Sequence, residues 1–205
     1  MVTASVVLGL ALAPMGWVLL LAATVTPQWR EVPQRPGHPW DVAFFDGLWE
    51  SCTETSSAPS GRRWQCQPIP EELSVSWLMH LLRSLTVLSL LGSLVSYLLA
   101  NLGARWWSNT SIPVLTGSAG LGLVVCGVVY LGAVSYMAHL VLLSLVSSQV
   151  PERDKFSMGT CLYLGWAGGS AEVLAGIALL LSFRQRHKRT IPRAPETATP
   201  CDVDY

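Results

Sequence analysis

Four stretches of this chain are apolar and long enough to cross a lipid bilayer, and they restrict its fold more than any other feature. Val6 to Val25 and Ser84 to Gly103 are each twenty residues without a charged side chain. That is the length a helix needs to span a hydrocarbon core of about 30 Å. From Trp106 to Pro151, 46 residues, no acidic or basic residue occurs apart from His139. Met158 to Phe183 forms the fourth block, interrupted only by Glu172. Overall 13% of the residues are charged, against about 25% in soluble domains, and they are gathered between the blocks. The chain therefore reads as a polytopic α-helical membrane protein. Its net charge of zero supplies no bulk field for nucleic acid. A cleaved signal peptide is the competing reading of the first block. No basic segment precedes it, however, and twenty residues exceed the usual apolar core of about 7–15.

The polar segment between the first two blocks carries strand and turn signals. Pro33, Pro36 and Pro39 exclude a helix in its first part. Val42 to Cys52 is rich in strand-favouring residues: Val42, Phe44, Phe45, Leu48 and Trp49. Arg63 to Gln67 alternates, with Trp64 and Cys66 on one face and Arg63 and Gln65 on the other. Ala58-Pro59-Ser60-Gly61 supplies turn chemistry between them. The pattern predicts a hairpin in which Cys52 and Cys66 face each other and form a disulfide. Closing such a loop contributes about 3 kcal/mol in the chain-entropy model. Cys126, Cys161 and Cys201 remain, and the odd total of five leaves at least one thiol unpaired. Trp49 and Trp64 are read as sheet and interface packing. Pro70-Glu71-Glu72 reads as a short helix start leading into the second block. Arg83 and His80, at its outer end, are expected to reach up to the interface.

Ile112-Pro113 predicts the start of the third helix, which to Val146 is some 50 Å long at 1.5 Å per residue and so protrudes from the bilayer. Gly117, Gly120, Gly122, Gly127 and Gly132 would let neighbouring helices approach closely. Glu172 is expected to face the bundle interior and to pair with a polar group there.

Arg184, Arg186, Lys188 and Arg189 follow the last block directly, which assigns the C-terminus to the cytoplasm. Four spans put the N-terminus there as well and leave Cys52 and Cys66 outside, where disulfides persist. The expected organisation is a cytoplasmic N-terminus (1–5), spans at 6–26, 78–103, 112–146 and 158–183, outer loops at 27–77 and 147–157, a cytoplasmic loop at 104–111, and a disordered cytoplasmic tail at 184–205. On that topology the sequon Asn109-Thr110-Ser111 is cytoplasmic and unmodified.

Trp29, then Gly47-Leu48-Trp49, Cys52 and Cys66 resemble the claudin signature. Pro27-Gln28-Trp29-Arg30, the position of Arg83, and Met158-Gly159-Thr160-Cys161-Leu162-Tyr163-Leu164-Gly165-Trp166-Ala167 are also similar to that family. The resemblance covers Val6 to Phe183. It implies a four-helix transmembrane bundle with a small extracellular antiparallel β-sheet held by one disulfide. It further implies a plasma-membrane protein of tight junctions that polymerises in one membrane (cis) and pairs between cells (trans), with itself and with other claudins. Arg62, Arg63 and Gln67 would face the paracellular space, and Leu145 and Val146 would occupy the second loop's contact region. The chain departs from the pattern in several ways. Thirteen residues separate the two cysteines, more than is usual. The position after the second cysteine is the neutral Gln67, and the juxtamembrane cysteines of the family are missing. The Tyr-Val ending that engages PDZ scaffolds of the zonula occludens type is absent, although Val203-x-Tyr205 fits a hydrophobic-x-hydrophobic ligand. The first loop holds four Arg (30, 35, 62, 63) against seven acids (31, 41, 46, 50, 54, 71, 72), 4 − 7 = −3; with a neutral Gln67, weak ion selectivity or a barrier is expected.

The alternative function is an auxiliary subunit that regulates a channel or receptor, as four-helix relatives with similar signatures do. No zinc spacing, phosphate loop or nucleophile elbow is present, so neither an enzyme nor a metal or organic cofactor is expected.

Overall fold

The structure, a computed structural model, describes residues 4–32, 42–57, 61–69, 77–104, 113–146 and 157–190. Four helices account for most of it: α1 (Ala4–Val25), α2 (Trp77–Ala104), α3 (Pro113–Val146) and α4 (Thr160–Thr190). Each contains a stretch long and apolar enough to cross a membrane. In hydrocarbon every backbone amide must find its partner within the protein, and a helix does so along its own length. Pro14 lies inside α1 without ending it. Pro113 is the first residue of α3, where its missing N–H costs nothing.

The bundle interior mixes small and polar residues with larger ones such as Leu20, Leu123, Tyr130 and Met137. Leu8, Met15, Leu88, Leu91, Leu121, Val128 and Leu174 point outward. Buried Thr86, Ser89, Ser93 and Ser96 line the inner face of α2. Helix α4 packs most extensively, against α1 and α3, and α3 also packs on α2. Close approach is achieved where glycines meet: a Cβ on Gly176 would lie 2.5 Å from the Gly120 carbonyl oxygen, and one on Gly168 3.0 Å from that of Gly16. Gly132 is an exception to the expectation from sequence, since nothing lies within 4 Å of where its Cβ would be.

The polar segments form one five-stranded antiparallel sheet: β1 (Arg30–Val32), β2 (Val42–Asp46), β3 (Glu50–Ser57), β4 (Gly61–Pro68) and β5 (Ser157–Met158). The order is β4-β3-β2-β1-β5, so β4 and β5 are its edges. The run from Val42 to Cys52 is two strands rather than one, broken by a turn at Gly47–Trp49. The β3–β4 register sets Cys52 opposite Cys66, and the two are disulfide-bonded. Gly61 enters β4 with φ +82°, a conformation glycine adopts without cost.

Two element limits differ from those read in the sequence. Met158, assigned from hydropathy to the fourth span, pairs with Arg30 as part of β5, and α4 starts after it. Ser157, beside it, pairs with Glu31 and belongs to the same strand. Residues 184–190, assigned to a disordered tail, continue α4. Arg, Gln and Lys are good helix formers, and extending a packed helix requires no new nucleus. The short helix expected after Pro70, the turn at 58–60, the sequon at 109–111 and the tail from 191 lie outside the described residues.

Candidate functional site

The sheet stands at one end of the bundle, where α1 and α3 finish and α2 and α4 begin. What holds it there follows from helix geometry. The last four carbonyls of an α-helix lack intrahelical donors. In α1 three of them, those of Ala22, Ala23 and Thr24, have identified donors. The Ala22 carbonyl takes the Thr26 amide at 3.0 Å. The Ala23 carbonyl takes the indole N–H of Trp29 at 2.8 Å, and the Thr24 carbonyl takes that of Trp49 at 3.1 Å. Two loop tryptophans therefore cap one helix end. Trp29, only 1% exposed, is the largest fully buried side chain among the described residues. Its own backbone bridges the sheet: its amide donates to the Asp46 carbonyl at 3.1 Å, and its carbonyl accepts from the Gly159 amide at 3.2 Å.

The Gly47-Leu48-Trp49 turn between β2 and β3 is the second half of the anchor. Leu48 drops into the core with Trp29, Leu20, Tyr130 and Leu162. Its carbonyl accepts from Arg83 Nε of α2 at 2.7 Å, and the Arg83 guanidinium lies 5.6 Å from the centre of the Trp49 ring. Sequence reasoning left Arg83 to reach the interface; the structure makes it a clamp on the turn. Gly47 closes the turn through its amide to the Glu50 carbonyl at 2.8 Å. A Cβ at Gly47 would sit 2.5 Å from Pro27 Cα, so only glycine fits this contact. On the β2–β3 hairpin, Ser51 Oγ donates to Asp46 Oδ1 at 2.6 Å, and Arg30 Nη2 lies 3.7 Å from Asp46 Oδ2.

The start of α4 is sewn to the same place. The Cys161 amide donates to the Gln28 carbonyl at 3.1 Å, and Thr160 Oγ1 donates to Gln28 Oε1 at 2.6 Å. A Cβ on Gly159 would collide with the Gln28 carbonyl oxygen. Tyr130 of α3 donates to the Leu20 carbonyl at 3.2 Å and lies 2.9 Å from the Thr24 hydroxyl. The resemblance supplied Trp29, Gly47, Leu48 and Trp49 as a motif without a mechanism. Trp49, read as packing, is 41% exposed and acts through its N–H.

Of the outer features, Arg63, Gln67 and Val146 are exposed. Cys52 is fully buried within the sheet, and the Phe45 and Trp64 rings stack at 5.3 Å on the face that carries the disulfide. Arg63 and Gln67 are exposed at positions opposite Thr55 and Ser51, on the other face, while Arg62 pairs in register with Ser56 near the hairpin tip. Strand β4, which carries all three, has no neighbour on its outer side among the described residues. Leu145 and Val146 end α3; Leu145 is half-buried and Val146 is 81% exposed. Glu50 lies with the sulfurs of Cys52 and Cys66 in a group within 4.8 Å. Both sulfurs are committed to each other, which removes them as metal ligands.

The sequence profile of the PMP-22/EMP/MP20/Claudin family matches residues 3–179. The chain is 33% identical to human claudin-23 over 204 residues, covering 91% of this chain and 65% of that protein. It is 34% identical to mouse claudin-23, over 86% of this chain and 58% of that protein, and so spans less than two thirds of either. It is 29% identical to rat claudin-3, over 94% of this chain and 90% of that protein.

Proposed function

This chain belongs to the PMP-22/EMP/MP20/Claudin family, and from that premise we propose that it is an adhesion and barrier protein of tight junctions. It would polymerise with itself and with other claudins within one membrane and pair with them across the intercellular gap. The observation that carries this reading is the pairing of a rigid anchor with an open edge. Trp29, Leu48, Trp49 and Arg83 fix the sheet to α1 and α2. On the far side, β4 has no strand neighbour among the described residues and carries exposed side chains, the arrangement through which sheets join one another. The sheet then faces outward, with both termini in the cytoplasm, as the basic run from Arg184 to Arg189 supports. Arg62, Arg63 and Gln67 would line the paracellular side, and Leu145 and Val146 would supply a second contact.

Imaging by freeze-fracture of junction-free cells expressing the chain tests this reading. Strands at cell contacts support it. A diffuse plasma-membrane signal with a co-purifying channel overturns it in favour of the auxiliary-subunit role. With Gln67 neutral, dilution potentials across an expressing epithelial layer should show little preference for either ion sign. The Val203-x-Tyr205 ending offers a ligand for a PDZ scaffold; loss of scaffold capture on deleting Tyr205 would support it.

A further inference from the structure

At the end of the bundle away from the sheet, α4 outruns its neighbours. It is packed as far as Ser182, which is 1% exposed, and Phe183, which a Cβ on Gly117 of α3 would meet at 3.0 Å. Helices α3 and α4 run antiparallel, with Gly120 against Gly176 and Leu180. Pro113, the first residue of α3 and about two turns before Gly120, is therefore level with Gln185. Helix α2 ends at Ala104, where Gly103 meets Thr116. Past that level α4 continues to Thr190. Arg184 is the first charged residue after Glu172, and it is exposed. Arg186, Lys188 and Arg189 follow it, and no acidic residue occurs before Glu196. Four of the chain's 13 Lys and Arg thus stand in the six residues 184–189, although the whole chain has a formal net charge of zero.

We propose that this extension of α4 is a docking surface for anionic lipid headgroups of the cytoplasmic leaflet. Depth is the first argument. From Arg184 to Thr190 the helix rises about 10 Å, and the headgroup layer outside the hydrocarbon is about 5–8 Å thick. An irregular tail would carry the same charges off into solvent, whereas a helix continuing from a packed span holds them in that layer. The second argument is distribution. At about 100° per residue, positions 184 and 188 fall on one side of the helix axis, and positions 186 and 189 on the opposite side. A groove in a protein partner would engage one side only. Lipid headgroups surround the helix and meet both. With no acid among them, all four bases add to the attraction of a negative surface. Orienting the span needs the bases only to stay inside; it does not need them on a helix. The inference rests on the cytoplasmic C-terminus of the reading above.

The test is the lipid shell of the purified full chain in vesicles of phosphatidylcholine with a minor share of phosphatidylserine in both leaflets. Particles of protein with its surrounding lipid are cut from the vesicles with a styrene–maleic acid copolymer, and their lipids are counted by mass spectrometry. Phosphatidylserine should be enriched about twofold or more around wild type relative to the variant R184Q/R186Q/K188Q/R189Q. Raising the salt from about 0.1 M to about 1 M shortens the Debye length from about 10 Å to about 3 Å and should remove the excess. Phosphatidylglycerol should be enriched as phosphatidylserine is, because charge rather than headgroup shape is read. No excess around wild type, an excess that the variant keeps or that survives high salt, or one confined to a single headgroup overturns the proposal. Glutamine is as good a helix former as the bases it replaces, so the variant should keep the wild-type thermal midpoint. With acidic lipid in both leaflets the result does not depend on which way the chain is inserted. Failure here is therefore distinct from failure of the topology, which glycosylation of Asn109 reads.

Discussion

Arg83 makes two contacts in the anchor, and its replacement tests both together. Arg83→Gln removes a charge-assisted hydrogen bond to the Leu48 carbonyl and the cation over Trp49. A loss of about 1.5–3 kcal/mol is expected, read as a lower thermal midpoint in detergent and reduced delivery to the cell surface. Arg83→Lys should recover only part of it, because an ammonium lacks the flat guanidinium that stacks on an aromatic ring. Gly47→Ala places a methyl against Pro27 and should cost about 1–3 kcal/mol by forcing the turn off the bundle. The sequence marked these positions through resemblance and did not show their chemistry. That an indole 25 residues away caps the Thr24 carbonyl depends on the return path of the chain, which no local pattern encodes. For Glu172, burial was legible from its surroundings. The polar group that meets it is Ser93 on the inner face of α2.

Among elements, the β3–β4 hairpin depends most on a covalent link. Cys52→Ser should destabilise the protein by about 3 kcal/mol, seen as a lower midpoint that no longer responds to reductant. The hairpin was legible because alternation and turn residues coincide there. The fifth strand was not: two residues cannot display a period, and Ser157-Met158 sits beside an apolar block. The β2–β3 turn was hidden because Leu48 and Trp49 favour strands, whereas tertiary packing of Leu48 decides their conformation. In the bundle, Gly176→Val should wedge α4 from α3 and lower the midpoint, since its Cβ would meet the Gly120 carbonyl. Gly132→Ala, with open space at its Cβ, serves as the control and should leave stability unchanged or slightly raised.

For the whole molecule, the four spans could be read from charge-free length alone, and the structure supplies four helices that match. The direction in which they are threaded is tested by glycosylation. Asn109 should stay unmodified in cells, whereas a sequon engineered into the 147–156 segment should be glycosylated. A glycan on Asn109, seen as a shift in mobility removed by glycosidase, would reverse the proposed topology.

The Trp29 segment has a mechanical meaning. Strand β1 leaves α1 directly, lies between β2 and β5, and is stitched through Gln28 and Trp29 to the first turn of α4. A tug on the outer edge of the sheet therefore reaches α1 and α4 together rather than a single tether. Their glycine-lined seam would bear the tension as one footing in the membrane.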